Sequence, residues 1–247
     1  MILFYENSNN DNKAHRLAEA LSIEATFEAE NVKKEKIFLH LDDNGLSLES
    51  NNLSVKGDFS RLKSRIKQAN LEREVIVKAV RIKNLERCQR VIDATAGMGE
   101  DSFLLAAAGF DVTLFEYNPV IAALLEDALQ RAGTDEELSH IVSRMHLVKK
   151  DSIESLNSGE YSADVVLLDP MFPQRQKSGL IKKKFQLLQL LECPCVGEEA
   201  LLNAAFCAMP DKIVIKRPEK GPFLANVRPD YSYPGKAIRY DVIRGKK

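Results

Sequence analysis

The chain has 247 residues, 45% of them hydrophobic, which suits one large α/β domain or a core domain with a smaller appendage. With no apolar run near the roughly 18 residues of a membrane span, no signal peptide, and only four cysteines, we expect a cytoplasmic protein without membrane or metal sites. The net charge is −1, but the basic residues cluster in three blocks. Lys/Arg outnumber Asp/Glu by 11 to 4 in residues 56–90, by 5 to 0 in 171–184 and by 10 to 3 in 212–247. Such blocks indicate either a basic face that binds a polyanion or three ordinary solvated surfaces.

Residues 1–58 are predicted to form a small acidic α+β subdomain. Strand-like segments 36–41 and 46–49 flank an Asp-Asp-Asn-Gly turn, which is typical of a hairpin, and residues 11–21 are predicted to be helical. A second domain is predicted over 59–247, beginning with a linker and leading helix at 59–89. That helix is expected to start at Asn70 as its N-cap, with Leu71, Val75, Ala79 and Ile82 on its apolar face.

From residue 90 onward, strands and helices alternate. Strands are predicted at 90–93, 111–116, 146–150, 164–168 and 212–216, with helices at 101–108 and 119–132, and a late antiparallel hairpin near 237–243. Such alternation predicts a parallel sheet covered by helices on both faces. The late hairpin favours the methyltransferase variant of the Rossmann-like fold over a dehydrogenase.

A glycine-containing turn follows the first of these strands. The strand ends at Asp93, and Gly97 and Gly99 precede the next helix, so the backbone leaves room for a nucleoside cofactor. A tight turn with a purely structural purpose gives the same pattern. Asp93 can either orient this loop or meet the cationic end of a cofactor.

Polar residues also end the next two strands. Glu116 lies 23 residues after Asp93, where doubly wound folds place a carboxylate that accepts hydrogen bonds from ribose hydroxyls. The loop and this acid together favour a role for Glu116 in binding a nucleoside cofactor over the alternative that Glu116 is a solvated acid at the end of a strand. Asp151 and Ser152 follow the third strand and can contact an adenine edge, cap the next helix, or do both.

The fourth strand delivers Asp169-Pro170-Met171-Phe172-Pro173 to the same edge of the sheet. An amine conjugated to a base ring is a poor nucleophile, and a carboxylate with a fixed carbonyl accepting its N–H bonds would direct its lone pair toward a methyl donor. Phe172 offers a face on which a flipped base can stack. We predict Asp169, Pro170 and Phe172 as the catalytic residues; a lone Asp-Pro would indicate only a loop.

Basic residues follow the fourth strand and end the fifth. They are positioned to hold phosphates and favour a nucleic-acid substrate, although each can also be a solvated loop residue. The predicted RNA-binding residues are Arg175, Lys177, Lys182, Lys183, Lys216 and Arg217.

Longer motifs at these positions resemble the bacterial ribosomal RNA small subunit methyltransferase J family. The resemblance covers roughly residues 57 to 243, and its most specific runs are D-P-M-F-P at 169–173 and N-P-V-I-A-A-L-L at 118–125. It implies a Rossmann-like class I S-adenosylmethionine-dependent methyltransferase that methylates N2 of the guanosine at position 1516 of 16S ribosomal RNA, with the small ribosomal subunit as partner. The implied cofactor contacts are Glu100, Asp101, Glu116, Tyr117, Asp151, Ser152 and Asp169.

Two alternatives stay open, one within the enzymes and one in a different class of function. One is a methyltransferase that acts on a different amine, in a small molecule or a protein. The other is a non-catalytic RNA-binding assembly factor that keeps the fold. Substrate binding that weakens steeply with salt would favour RNA, and failure to bind S-adenosylmethionine would favour the assembly factor.

Overall fold

The computed structural model describes residues 1–50, 53–170, 187–188, 190–191 and 197–245. Twelve strands of this part of the chain form two sheets, one of five strands and one of seven. None of its helices is long and apolar enough to cross a lipid bilayer.

The first sheet has the order β2-β1-β3-β4-β5. Its strands are β1 (Ile2–Tyr5), β2 (Glu24–Thr26), β3 (Phe38–Asp42), β4 (Gly45–Ser50) and β5 (Leu53–Lys56). Two helices, α1 (Asp11–Leu21) and α2 (Ala29–Val32), connect the first three strands. β1 is parallel to both β2 and β3, whereas β3, β4 and β5 form an antiparallel meander.

The second sheet has the order β11-β12-β10-β9-β6-β7-β8. Its strands are β6 (Arg90–Asp93), β7 (Asp111–Phe115), β8 (Met145–Val148), β9 (Val165–Leu168), β10 (Lys212–Pro218), β11 (Tyr231–Pro234) and β12 (Ile238–Arg244). All are parallel except β12, which runs antiparallel to both neighbours. From β6 the chain continues on one side through β7 and β8 and then returns to the other side of β6 as β9 and β10. The strand order therefore reverses at β6, and ligands are expected at the carboxyl ends of β6, β7 and β9.

In the described part of the chain, seven helices accompany the second sheet. They are α3 (Gln68–Leu71), α4 (Val75–Val80), α5 (Glu100–Ala107), α6 (Pro119–Gly133), α7 (Ser139–Val142), α8 (Ser152–Asn157) and α9 (Glu198–Cys207). The start of α6 follows directly from its sequence: Asn118 Oδ1 accepts hydrogen bonds from the N–H groups of Val120 and Ile121, and Pro119 occupies the first turn.

Apolar layers cover both faces of the second sheet. One face packs against α4, α5 and α7 through residues that include Val80 and Phe103. The other face packs against α8 and α9 through Leu156 and Leu202. The central strands are therefore buried on both sides, which explains their continuous runs of Val, Ile and Leu.

The first sheet packs on α6. Leu39 and Leu48 of this sheet lie in one apolar cluster with Ile121 and Leu124 of the helix. At the same contact, the buried Asp127 carboxylate accepts a hydrogen bond from the Leu46 N–H at 3.0 Å. Helix α6 thus joins the two sheets.

The prediction of a doubly wound sheet with a late antiparallel hairpin is confirmed, with strand ends shifted by up to two residues. The predicted leading helix is wrong in detail. Asn70 lies inside α3 rather than capping a helix, and its side chain donates to the Ser64 carbonyl at 2.9 Å. A turn separates α3 from α4, where the Glu74 carboxylate pairs with Arg65 at 2.7 Å. The domain boundary after residue 58 stays a prediction.

Candidate active site

The glycine turn between β6 and α5 uses backbone conformations that favour glycine. Gly97 and Gly99 have φ angles of +53° and +71°. A Cβ at Gly99 would lie 2.8 Å from Leu125 Cδ1, so this glycine is also required for packing. A Cβ at Gly97 would meet nothing within 4 Å, so the backbone there borders open space. The predicted turn therefore leaves room for a ligand at its first glycine.

Asp93 holds this turn from within the protein. Its carboxylate accepts hydrogen bonds from the Ser102 hydroxyl at 2.6 Å and from the Thr95 N–H at 3.1 Å. Burial raises the pKa of Asp93 to about 7, and these two hydrogen bonds only partly oppose that shift. Of the two roles considered for Asp93, the geometry supports orientation of the loop.

Glu116 follows β7 and also supports the turn. Its carboxylate accepts hydrogen bonds from the N–H groups of Gly97 at 3.0 Å and Asn118 at 2.8 Å, and the residue is only 5% exposed. The adjacent Tyr117 is 56% exposed. Glu116 is thus positioned beside the open space at Gly97.

Asp151 and Ser152 lie after β8 at the same edge of the sheet. The Asp151 side chain accepts a hydrogen bond from the Glu154 N–H at 3.0 Å and caps α8. Asp151 is exposed and Ser152 is buried. The predicted capping role is therefore confirmed, and a contact with adenine stays a prediction.

Asp169 and Pro170 follow β9 at the centre of this edge. The Asp169 N–H donates to the Thr95 hydroxyl at 2.6 Å, which ties the end of the strand to the glycine turn. The Asp169 side chain remains 39% exposed, whereas Pro170 is buried. Burial and the nearby Asp101 raise the pKa of Asp169, and the Lys216 ammonium opposes this shift. Thr95 was not among the predicted residues, and its only sequence signal is a hydroxyl where a glycine is usual.

Lys216 extends into the site instead of facing outward. Its ammonium donates to Asp101 Oδ2 at 2.7 Å and to Asp169 Oδ2 at 2.8 Å. These two carboxylates raise the pKa of Lys216 although burial alone would lower it. The ammonium charge is therefore already neutralised within the protein, which argues against the predicted role of Lys216 in RNA binding.

Arg217 does not fit the prediction that it binds RNA. Its side chain is fully buried and ion-paired with Glu198 at 3.3 Å, and its Nε donates to the Pro222 carbonyl at 2.8 Å. Neighbouring residues of a strand point to opposite faces, so Arg217 packs under α9 while Lys216 faces α5. A side chain in this position cannot reach a phosphate at the surface.

Five of the predicted residues lie outside the described part of the chain. They are Phe172, Arg175, Lys177, Lys182 and Lys183. Among the residues that are described, no group of three or more His, Cys, Asp or Glu side chains is arranged to hold a metal ion. The described part of the candidate active site is therefore the edge of the sheet bordered by the glycine turn, Glu116, Asp169 and the Lys216 ion pairs.

Comparison with known proteins assigns this arrangement to a family. A family model described as "Putative SAM-dependent methyltransferase" matches residues 22–244. The chain is 45% identical to the ribosomal RNA small subunit methyltransferase J of Pseudomonas aeruginosa over 174 residues, which are 68% of this chain and 65% of that protein, slightly less than two thirds. It is 37% identical to the protein of the same name from Thioalkalivibrio sulfidiphilus over 246 residues, which cover 96% and 95% of the two chains.

Solved structures agree with this assignment. The crystal structure of a SAM-dependent methyltransferase from Neisseria gonorrhoeae superposes with a TM-score of 0.72 at 28% identity, covering 98% of this chain and 96% of that one. The predicted class I methyltransferase fold is thus confirmed. The chain therefore belongs to the ribosomal RNA small subunit methyltransferase J family, and S-adenosylmethionine is its cofactor.

Proposed function

We propose that this protein methylates the exocyclic N2 of the guanosine at position 1516 in 16S ribosomal RNA of the small ribosomal subunit. The names of the relatives support a ribosomal RNA substrate. The observation that carries the proposal is the Asp169 carboxylate, which is partly open to solvent, fixed at its backbone by Thr95, and placed at the carboxyl end of β9.

The residues of the candidate active site fit S-adenosylmethionine. The open space at Gly97 admits a ligand close to the backbone, and Glu116 lies beside it after β7, where doubly wound folds place the carboxylate that binds ribose hydroxyls. When bound, the cofactor supplies a methyl group on a sulfonium sulfur, which makes the methyl carbon electrophilic. We infer that the cofactor is held by Gly97, Gly99, Glu100, Asp101, Glu116, Tyr117, Asp151, Ser152 and Asp169, and that Asp93 acts by orienting the glycine turn.

Asp169 and Pro170 would orient the amine. The guanine N2 has two N–H bonds, and the Asp169 carboxylate and the Pro170 carbonyl can each accept one, which directs the nitrogen lone pair toward the methyl group. Proline contributes no N–H that would compete for the carboxylate. Correct orientation of two reactants can supply roughly 7–11 kcal/mol of the barrier, so no metal is needed in this mechanism. We further infer that Phe172 stacks on the flipped base.

A basic cleft on the described surface supports an RNA substrate. It has a volume of about 590 Å³, and its lining includes the cations of Lys78, Arg81 and Lys83 together with Tyr233 and a single carboxylate, Glu72. All three basic side chains are exposed. Such a surface attracts phosphates of an RNA backbone. We infer that further phosphate contacts come from Arg175, Lys177, Lys182 and Lys183.

The test is to map N2-methylguanosine in 16S RNA from cells that lack this protein. We expect position 1516 to be unmethylated, to be restored by the wild-type chain, and to stay unmethylated with Asp169→Ala. Purified Asp169→Ala should keep its circular dichroism spectrum, which separates loss of chemistry from loss of fold. Methylation at position 1516 in cells without the protein, or near-normal turnover by Asp169→Ala, would refute the proposal.

A further inference from the structure

Lys216 is a cation in the candidate active site, between Asp101 and Asp169. It lies on β10 and bridges two carboxylates that are distant in sequence: Asp101 on α5, 115 residues away, and Asp169 after β9, 47 residues away. Its partner on the neighbouring strand β12 is Tyr240, which is buried, and burial raises the pKa of that phenol. The phenol is therefore neutral at physiological pH, and Lys216 is the cation that forms an ion pair with Asp169.

This bridge matters because the two protonation states of Asp169 have opposite hydrogen-bonding roles toward an amine. A carboxylate accepts hydrogen bonds at both oxygens, whereas a carboxylic acid presents an O–H donor toward an amine. Burial and the negative charge of Asp101 both favour the acid, and the Lys216 ammonium favours the carboxylate. Among the described residues, the charged or titratable groups of this ion-pair network and of the elements around it are Arg65, Asp93, Asp101, Lys216, Arg217 and Tyr240.

The geometry also distinguishes this role from a contact with RNA. The two carboxylates carry two negative charges against the single positive charge of Lys216, so the three groups together carry −1. The Lys216 ammonium therefore has no uncompensated charge to offer a phosphate. Both ion-pair distances are below 3 Å, which is typical of charge-assisted hydrogen bonds that fix orientation.

We propose that Lys216 is a positioning residue that keeps Asp169 an ionised, oriented carboxylate, while Asp101 holds the ammonium from its other side. That the carboxylate then accepts the amine N–H of a base rests on the proposed function. The ionisation itself does not, because it is a property of the protein without RNA.

The direct test is to titrate Asp169 by NMR in protein labelled with ¹³C at the aspartate carboxyl carbons, without RNA. Its resonance is assigned from Asp169→Asn. In Lys216→Met, which keeps side-chain length and loses the charge, we expect the titration midpoint to rise by about one pH unit or more, a tenfold change in proton affinity. In Asp101→Asn, which removes a repelling anion, the midpoint should fall. Lys216→Arg, the matched conservative variant, should stay near the wild type.

Opposite shifts in the two variants separate electrostatic positioning from structural damage, which would move both midpoints in one direction. An unchanged midpoint in Lys216→Met, or shifts of the same sign in both variants, overturns the proposal. If Lys216→Met does not fold, Asp101→Asn and Lys216→Arg carry the test: the midpoint must fall in the first and stay near the wild type in the second, and any other result overturns the proposal.

The second readout is the pH profile of methyl transfer to 16S RNA. In Lys216→Met the pH of half-maximal rate should rise by about the same amount as the titration midpoint, so the rate that is lost at low pH recovers as the pH rises. A loss of equal size at every pH from 6 to 9 contradicts the proposal. If the midpoints shift as expected but the wild-type protein methylates no RNA, the proposed function fails and the role of Lys216 stands.

Discussion

Replacement of Thr95 by valine tests the link between the glycine turn and the catalytic strand. Valine keeps the β-branched shape but substitutes a methyl group for the hydroxyl that accepts the Asp169 N–H at 2.6 Å. A partly buried N–H without a partner is destabilising by about 1–3 kcal/mol. For a chain of this size, each kcal/mol lowers the melting temperature by about 2–4 °C.

The same free energy sets the expected loss of activity. The N–H belongs to the residue whose carboxylate would orient the amine, so we expect the penalty to appear in the transition state. A loss of about 1–3 kcal/mol corresponds to a rate of methyl transfer lower by roughly 5- to 150-fold. Single-turnover transfer to 16S RNA at saturating S-adenosylmethionine measures this rate, and calorimetry measures cofactor affinity separately.

Thr95→Ser is the matched control, because it keeps the hydroxyl and loses only the methyl group. It should retain most of the rate. The reasoning is refuted if Thr95→Val turns over within twofold of the wild type, or if Thr95→Ser is as slow as Thr95→Val. The second result would assign the effect to packing instead of the hydrogen bond.

Two further predictions concern stability and RNA binding. Burial alone would raise the pKa of Asp127, but hydrogen bonds from Arg131 and the Leu46 N–H lower it below 3.8. The Asp127 carboxylate therefore stabilises the fold at pH values above its unfolded pKa. This contribution is lost as the pH falls through the lower pKa of the folded state. Asp127→Ala should therefore destabilise by about 1–3 kcal/mol in urea unfolding at pH 7, because the buried Leu46 N–H loses its acceptor, and by less below pH 4. Reversing the charge of both Lys78 and Lys83 should weaken RNA binding and reduce the slope of log K against log salt by about 1 to 2.

Each of these predictions has a matched control. Asp127→Asn keeps the side-chain shape and should be less destabilising than alanine; an equal loss, or a loss that does not shrink at low pH, contradicts the electrostatic explanation. Charge reversal at Lys33 and Lys34, which follow α2 in the acidic first 55 residues, should leave RNA binding nearly unchanged. If both pairs weaken binding equally, the basic cleft has no special role.

The second sheet was predictable because its signals are local. Strands β6 to β10 each contain a short apolar run, and Asn118-Pro119 marks a helix start that the structure reproduces. The first sheet was only partly predictable. Its β1, β2 and β5 are three or four residues long, and β1 pairs with strands that lie about 20 and 35 residues away. No local pattern encodes such pairing.

The candidate site was predictable in position and less so in its contacts. The ends of parallel strands share one edge, so the placement of Asp93, Glu116 and Asp169 follows from strand order alone. Their hydrogen-bond partners depend on the loop and on neighbouring elements. The ammonium of Lys216 finds its partner on α5, and a sequence cannot distinguish a lysine that points inward to a carboxylate from one that points outward to a phosphate.

The third basic block illustrates this limit and changes where RNA contacts should be sought. Within residues 212–247, Lys212, Arg217 and Arg239 are buried, and Lys216 is ion-paired with two carboxylates. Lys212 donates to the main-chain carbonyls of Ala79 within α4 and Arg81 just after it, and Arg239 pairs with Asp241. A surplus of positive charge in a sequence indicates a basic surface only where the side chains face solvent. Four of its basic residues are instead held within the protein, so the RNA contacts of the proposed function should come from residues 56–90 and 171–184 and from the exposed cations of this block, which include Lys220 and Arg228.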